Sequence, residues 1–443
     1  MIYINTDGKV TLNFNNVEIS NTNGPCIYVK KSENVSINLE GNNILTNNEN
    51  KTYETLDAAV YSKSDLIIEG EGNLSIEAKY NHGIKGKDNI SINNGNITIK
   101  SIKDCINCND DLNLNNGILE LSSEEDECLQ SDSNLYINGG TINIDSNNDG
   151  IKAESIVEIN NGNIKITNAS EGIESKDILT INGGTIDILS SDDCINATNK
   201  IVINSGNIKT ISTGNDAIDS NGSIEINGGD IYTLALSQAE GGFDCDSNSF
   251  IVNGGNLFGI GTTHSQPTDG KQNTLIINPE ISDNIENITI KDSNKNIIYE
   301  LDVDDYSEYA FGANKDGNEM NNDFDNMSDK IERNKPDKMP NEIVANMPDD
   351  VTMDSSVNAP TDVSNPQENM SKNEFINNKN SFNKKGISSS STLFISNENL
   401  KTGETYTIYI NGEELETIKI ENCTTTIGNV QTMGGGMKNF GNR

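Results

Sequence analysis

Asp149-Gly150-Ile151-Lys152-Ala153 leads into Val157-Glu158-Ile159-Asn160-Asn161-Gly162-Asn163-Ile164-Lys165-Ile166. After a step of 22 residues, Glu171-Gly172-Ile173-Glu174-Ser175 leads into Leu179-Thr180-Ile181-Asn182-Gly183-Gly184-Thr185-Ile186-Asp187-Ile188. Asp193-Cys194-Ile195-Asn196-Ala197 opens the next copy. The step extends both ways: one Asn recurs at Asn93, Asn115, Asn138, Asn160, Asn182, Asn204, Asn227 and Asn253. Weaker copies precede them, with Pro25-Cys26-Ile27-Tyr28, Ala58-Ala59-Val60-Tyr61 and His82-Gly83-Ile84-Lys85 in the slot of the acidic opening. A fixed period of this length is the mark of a stacked repeat architecture.

Within one copy the apolar residues alternate three times, at Leu179 and Ile181, at Ile186 and Ile188, and at Ile195 and Ala197. Period-two alternation means strands with one buried face. Gly and Asn at Asn182-Gly183-Gly184 allow the bend between the first two. The expected fold is therefore all-β: a right-handed parallel β-helix of about ten rungs over residues 1–264, handed as parallel crossovers generally are. Residues 265–311 and 391–432 leave the repeat but keep strand character and are expected to form one small β unit. The intervening 312–390, rich in Asn, Asp, Lys, Met, Ser and Pro, is expected to be disordered, and 433–443 a flexible tail.

Composition agrees with a solenoid, whose rungs need few inward residues each: only 33% of the 443 residues are apolar. A net charge of −37 argues against a nucleic-acid partner and against anionic membranes. No stretch is long and apolar enough to span a bilayer. The strand-like start, Met1-Ile2-Tyr3-Ile4, opens in mid-rung and points to a truncated beginning rather than a signal peptide. Seven Cys without CxxC pairs indicate neither zinc nor a dense disulfide framework. Cys105, Cys128 and Cys194 share a slot that elsewhere holds Gly or Ala, and read as small buried side chains, with a Cys105–Cys128 bridge as the alternative.

Stacking converts a slot into a column, because neighbouring rungs lie about 4.8 Å apart. One column holds Asp104, Glu127, Asp149, Glu171, Asp193 and Asp216; a second holds Asp88, Asp110, Asp132, Glu154 and Asp177. Between them an outward slot runs Lys85, Asn107, Gln130, Lys152, Glu174, Asn196, Asp219. Like charges at this separation repel by about 1 kcal/mol in water and about 3 kcal/mol near a protein surface. Calcium relieves that repulsion, taking six to eight oxygens, carboxylates of adjacent rungs among them. The candidate ligands are Asp104, Glu127, Asp149, Glu171, Glu174, Asp192, Asp193, Asp216 and Asp219, with Lys152, Glu154, Asp177 and Asn196 as candidate ligand-binding neighbours. The competing reading is that turn Asp and Asn simply bond their own backbone.

Enzymatic readings fare less well. The two Arg, Arg333 and Arg443, lie outside the repeat, which excludes an arginine-based uronate lyase. A lysine base, Lys152 or Lys85, stays open as the alternative. Clustered Asp as at Asp192-Asp193 would suit a hydrolase, but its usual His and Arg partners are missing. His82 and His264 read as solvated. With Trp absent and aromatics at 5%, a flat aromatic strip for neutral glucans is not expected.

The repeats Asn138 to Ile142 and Asn182 to Ile186, with the Asp/Glu-Gly-Ile-x-Ala/Ser openings, resemble the carbohydrate-binding domain family of secreted bacterial proteins. Gly24-Pro25-Cys26-Ile27-Tyr28-Val29-Lys30 and Ala59-Val60-Tyr61-Ser62-Lys63 look like its early rungs, and Leu400 to Thr407 like its C-terminal strands. The resemblance covers roughly 1–311 and 391–432. It implies a monomer, secreted or at the cell surface, that binds acidic plant polysaccharide of the polygalacturonate type without catalysis, with calcium at the acidic turns. A structural surface adhesin is a further alternative.

Overall fold

The computed structural model describes residues 1–48, 55–247, 249–282, 284–302 and 391–430. Among them every regular element is a strand. The segment 312–390 and the tail 433–443 lie outside the described residues.

Three parallel sheets wrap one core. Sheet A stacks the short strands, Ile2–Asn5, Ile27–Lys31, Ala58–Ser62 and His82–Gly86 followed by seven more ending at Asp244–Cys245. Sheet B runs from Val10–Asn15 to Phe250–Val252, and sheet C from Glu18–Asn21 to Asn256–Gly261. Sheets A and B each hold 11 strands, so the helix has about 11 turns rather than the expected ten. The extra rung hides at the N-terminus, where the copies are least regular.

The register explains why the repeat tolerates no slip. Ile151 pairs with Ile173 and Ile173 with Ile195, so like stacks on like along the axis. Every one of these side chains is fully buried. A shift by one residue would turn the whole isoleucine column into water. At the turn between sheets B and C, Gly184 has φ +96°, and a Cβ there would stand 2.7 Å from the Gly162 carbonyl oxygen of the rung before. The Asn beside that turn builds a surface ladder: Asn160 Nδ2 donates to Asn138 Oδ1 at 2.9 Å, and Asn182 Nδ2 to Asn160 Oδ1 at 2.8 Å.

Small residues occupy the corner between sheets C and A. Cys105, Cys128, Cys194 and Ala217 are fully buried there, and a Cβ on Gly172 would overlap the Cys194 carbonyl and the Ile188 side chain. Cys105 and Cys128 are free thiols with sulfurs 3.9 Å apart, and all seven cysteines are unbridged.

The strands expected as one C-terminal unit divide between two sheets. Thr392–Ser396 pairs antiparallel with Asn256–Gly261, and Thr274–Ile277 and Thr424–Ile427 continue sheet C beyond it. Ile297–Asp302, Asn287–Asp292, Thr405–Ile410 and Glu413–Lys419 form a separate four-stranded sheet. Phe394, brought in by this addition, packs 4.6 Å from Phe243 and 5.8 Å from Phe250, closing the last rung with aromatic surface. His264 is not solvated as expected. It is fully buried beside Phe394, accepts from Gly242 N through Nδ1, and meets the Thr392 carbonyl through Nε2 at 3.0 Å. Burial lowers its pKa to about 4, so the ring is neutral and serves as a brace between the last rung and the added strand.

Candidate functional site

In sheet A the central residue of each short strand faces away from the core. Register alignment stacks these into one column: Tyr3, Tyr28, Tyr61, Lys85, Asn107, Gln130, Lys152, Glu174, Asn196, Asp219, Asp244. The acidic slot lies three residues earlier and also faces outward. Two consecutive inward residues, a small one and an isoleucine, separate the two slots, so strict alternation is broken at the corner. Asp149 Oδ2 consequently meets Lys152 Nζ at 2.9 Å. Two ladders thus run side by side on one face.

The middle of this face is neutralised by lysine. Lys152 Nζ lies 3.3 Å from Glu127, 2.9 Å from Asp149 and 3.0 Å from Glu174, and Lys176 pairs with Glu174 from the other side. Burial alone would depress the Lys152 pKa, but hydrogen bonds and charge from Asp149 and Glu174 reverse that and raise it. A lysine held protonated in this way is unsuited to be the base of a lyase. One rung set earlier, Lys85 Nζ meets Asp57 at 3.0 Å and His82 Nε2 at 3.1 Å. His82, expected to be solvated, is 6% exposed, with Nδ1 3.2 Å from Asp104.

Past Glu174 the two ladders carry acids and no lysine. Asp193 and Asp216 are 4% and 5% exposed. Burial, reinforced by Asp219, Asp192 and Asp216, pushes the Asp193 pKa up to about 9. Burial with Asp244, Glu240 and Asp219 nearby raises Asp216 to about 8 against the bond from Gly241 N. Asp219 rises to about 7, from burial and then Asp244 and Asp246. Glu171 rises to about 8, from burial and then Glu174 and Asp149. Carboxylates displaced this far lack countercharge, which a cation would supply.

Two oxygen-rich groups converge. Asp216, Asp219 and Asp244 bring one carboxylate oxygen each within 4.8 Å of one another, and Asp104, Asp126 and Glu127 do the same. Oxygens bound to a common calcium at about 2.4 Å can be no farther apart than this. In the second group Asp104 Oδ1 is buried and has no hydrogen-bond partner, and burial, then Asp104, lifts Glu127 to about 7. Hard oxygen donors with unmet charge fit calcium.

The expected ligands therefore fall into three places. Asp216 and Asp219 join with Asp244; Asp104 and Glu127 join with Asp126. Asp149 and Glu174 spend their charge on Lys152, and Asp149 Oδ1 also accepts from Glu171 N. Glu171 and Asp193 share the Asn196 amide, 3.3 Å from each, with Asp192 close enough to raise both their pKa values. Of the neighbouring residues, Lys152 and Asn196 stand in the outward column. Glu154 is exposed at the turn after the strand, and Asp177 accepts from Asn199 there, so neither joins the acidic groups. Asp244 and Asp126 escaped sequence reading. A signal for Asp244 existed in Asp244-Cys245, which repeats Asp219-Ser220, but a rung of 25 residues hid it.

A family model described as carbohydrate-binding domain-containing protein matches residues 1–217 and 167–298, more than half of the chain. The chain belongs to the carbohydrate-binding domain-containing family. For this carbohydrate-binding protein no curated relative matches. A solved structure, described as the polysaccharide lyase-like protein from C. thermocellum in a gadolinium derivative, is 21% identical. That match covers 61% of the carbohydrate-binding protein and 89% of the other chain, with a TM-score of 0.29.

Proposed function

We propose that the protein binds an acidic polysaccharide of the polygalacturonate type, without catalysis, on the outward face of sheet A, at the cell surface or after secretion. The observation that carries this reading is the run of Glu171, Asp193, Asp216, Asp219 and Asp244, acids on one face with no lysine in either ladder. Direct contact between them and a polyuronate would set carboxylate against carboxylate. Calcium, when bound, supplies the positive charge that lets two sets of carboxylates share one site. Asp216, Asp219 and Asp244 are the residues to hold it, with Asp104, Asp126 and Glu127 as the second group. Asn196 offers amide donors to sugar hydroxyls between them. Membership in a carbohydrate-binding family and the linear, evenly spaced face both support a chain-like sugar ligand.

Affinity electrophoresis through gels containing polygalacturonate tests this. Retardation should fall severalfold when calcium is replaced by a chelator. Equal retardation in both gels would overturn the calcium bridge. If chelation lowers the melting temperature while no gel retards the protein, the metal serves the solenoid alone, as in an adhesin.

A further inference from the structure

The first three rungs of the same face carry a different chemistry. Tyr3, Tyr28 and Tyr61 are aligned by strand register, with ring centroids 5.5 and 6.0 Å apart and interplanar angles of 51° and 69°. Tyr3 is 50% exposed, Tyr28 partly exposed and Tyr61 buried beneath its neighbours. The rings step along the axis at the rung spacing, which is close to the length of one pyranose unit. They form a tilted stack, not the flat strip that composition argued against.

Beside them runs a second column of the same strands, two residues on. Lys63 N donates to Val29 O, Lys87 N to Ser62 O, and Asn109 N to Gly86 O, which places Lys30, Lys63, Lys87 and Asn109 on successive rungs. Lys30 and Lys63 are exposed, and among the described residues neither makes an ion pair. In a chain of net charge −37, unpaired lysines aligned with a tyrosine stack are a local reversal of sign.

We infer that the tyrosine and lysine columns of the first rungs form a metal-independent subsite for uronic acid units, with pyranose faces on Tyr3 and Tyr28 and carboxylates on Lys30 and Lys63. The occupant is anionic because the flanking cations are free, and a sugar because an amphipathic ring stack with adjacent charge suits a pyranose that is apolar on its face and charged at its edge. This rests on the acidic-polysaccharide reading and divides its labour. One end of the strip meets carboxylates directly with lysine, and the other end meets them through a cation. A bound chain would lie along the solenoid axis across both.

The test is polygalacturonate affinity electrophoresis in chelator, where the acidic end cannot act through metal. Wild type should keep a residual retardation. Tyr28→Ala and, separately, the exposed Lys63→Glu should each weaken it about tenfold, equivalent to about 1.4 kcal/mol, while calcium binding measured by calorimetry stays unchanged. Lys63→Glu guards against a folding defect at the partly buried Tyr28. Absence of any retardation of wild type in chelator overturns the subsite, as does a residual retardation that both variants share. Failure of the calcium-bridged reading shows differently, as retardation that calcium does not increase.

Discussion

Lys152 Nζ lies 3.0 Å from Glu174 Oε2, although the two residues are direct neighbours in one column of the solenoid. Identical slots in adjacent rungs have here been filled with opposite charges, and the lysine reaches three acids at once. Below and above it the face changes character, so this ion cluster divides a lysine-bearing half from an acidic half.

Replacing that lysine removes the only countercharge of three buried acids. Lys152→Met should cost about 2–4 kcal/mol of stability without metal, since unpaired buried carboxylates are the penalty rather than the lost contact. Calcium should recover part of it through Glu127 and Asp149. Thermal melts with and without chelator measure both.

The displaced carboxylates set the pH response of the metal-free protein. Glu171, Asp193, Asp216 and Asp219 have folded-state pKa values of about 8, 9, 8 and 7, above their unfolded values near 4. The folded state then holds more protons than the unfolded state between those limits, so stability falls as pH rises from about 4 to about 9. Melting temperature in chelator should decline across that window, and calcium should flatten the decline. A rise with pH in chelator would contradict the burial of these acids.

Asp219→Asn combined with Asp244→Asn should uncouple metal from stability. Without metal the double variant should melt at or above wild type, because two like charges are gone. Calcium at 100 times its wild-type Kd should stabilise wild type by about 2.7 kcal/mol and the variant by clearly less. Calorimetric titration of both proteins with calcium alone checks the loss of a site.

Two substitutions in one turn separate backbone from side-chain effects. Asn182→Ala removes the bond to Asn160 and the one from Asn204, at 2.8 and 2.7 Å on the exposed ladder, and should cost about 1 kcal/mol. Gly184→Ala places a Cβ at φ +96° against the Gly162 carbonyl and should cost at least about 2 kcal/mol. Denaturant melts that rank them in the opposite order would deny the close approach of the rungs.

The division of the face was only partly legible beforehand. The acids of the repeated slots could be named because each sits at a fixed offset from an isoleucine. Whether they pointed inward could not, since Gly172 or Cys194 between acid and isoleucine leaves the alternation ambiguous. Asp126 and Asp244 were missed because the loops that carry them depart from the period. The tyrosines were visible one by one but not as a stack, because steps of 25 and 33 residues separate Tyr3, Tyr28 and Tyr61.

The solenoid was determined by the sequence alone. A side-chain period of two nested in a period of 22 leaves one register in which every isoleucine is buried, and the Asn-x-Gly turns close it. Neighbourhood across rungs was decided only by the tertiary structure. Which acid meets Lys152, which three acids come within reach of one cation, and which tyrosines touch all depend on lengths of turns that vary between copies. Distances across rungs, rather than residue identity, set the energy of a charge or a ring contact, and the chain order does not contain those distances.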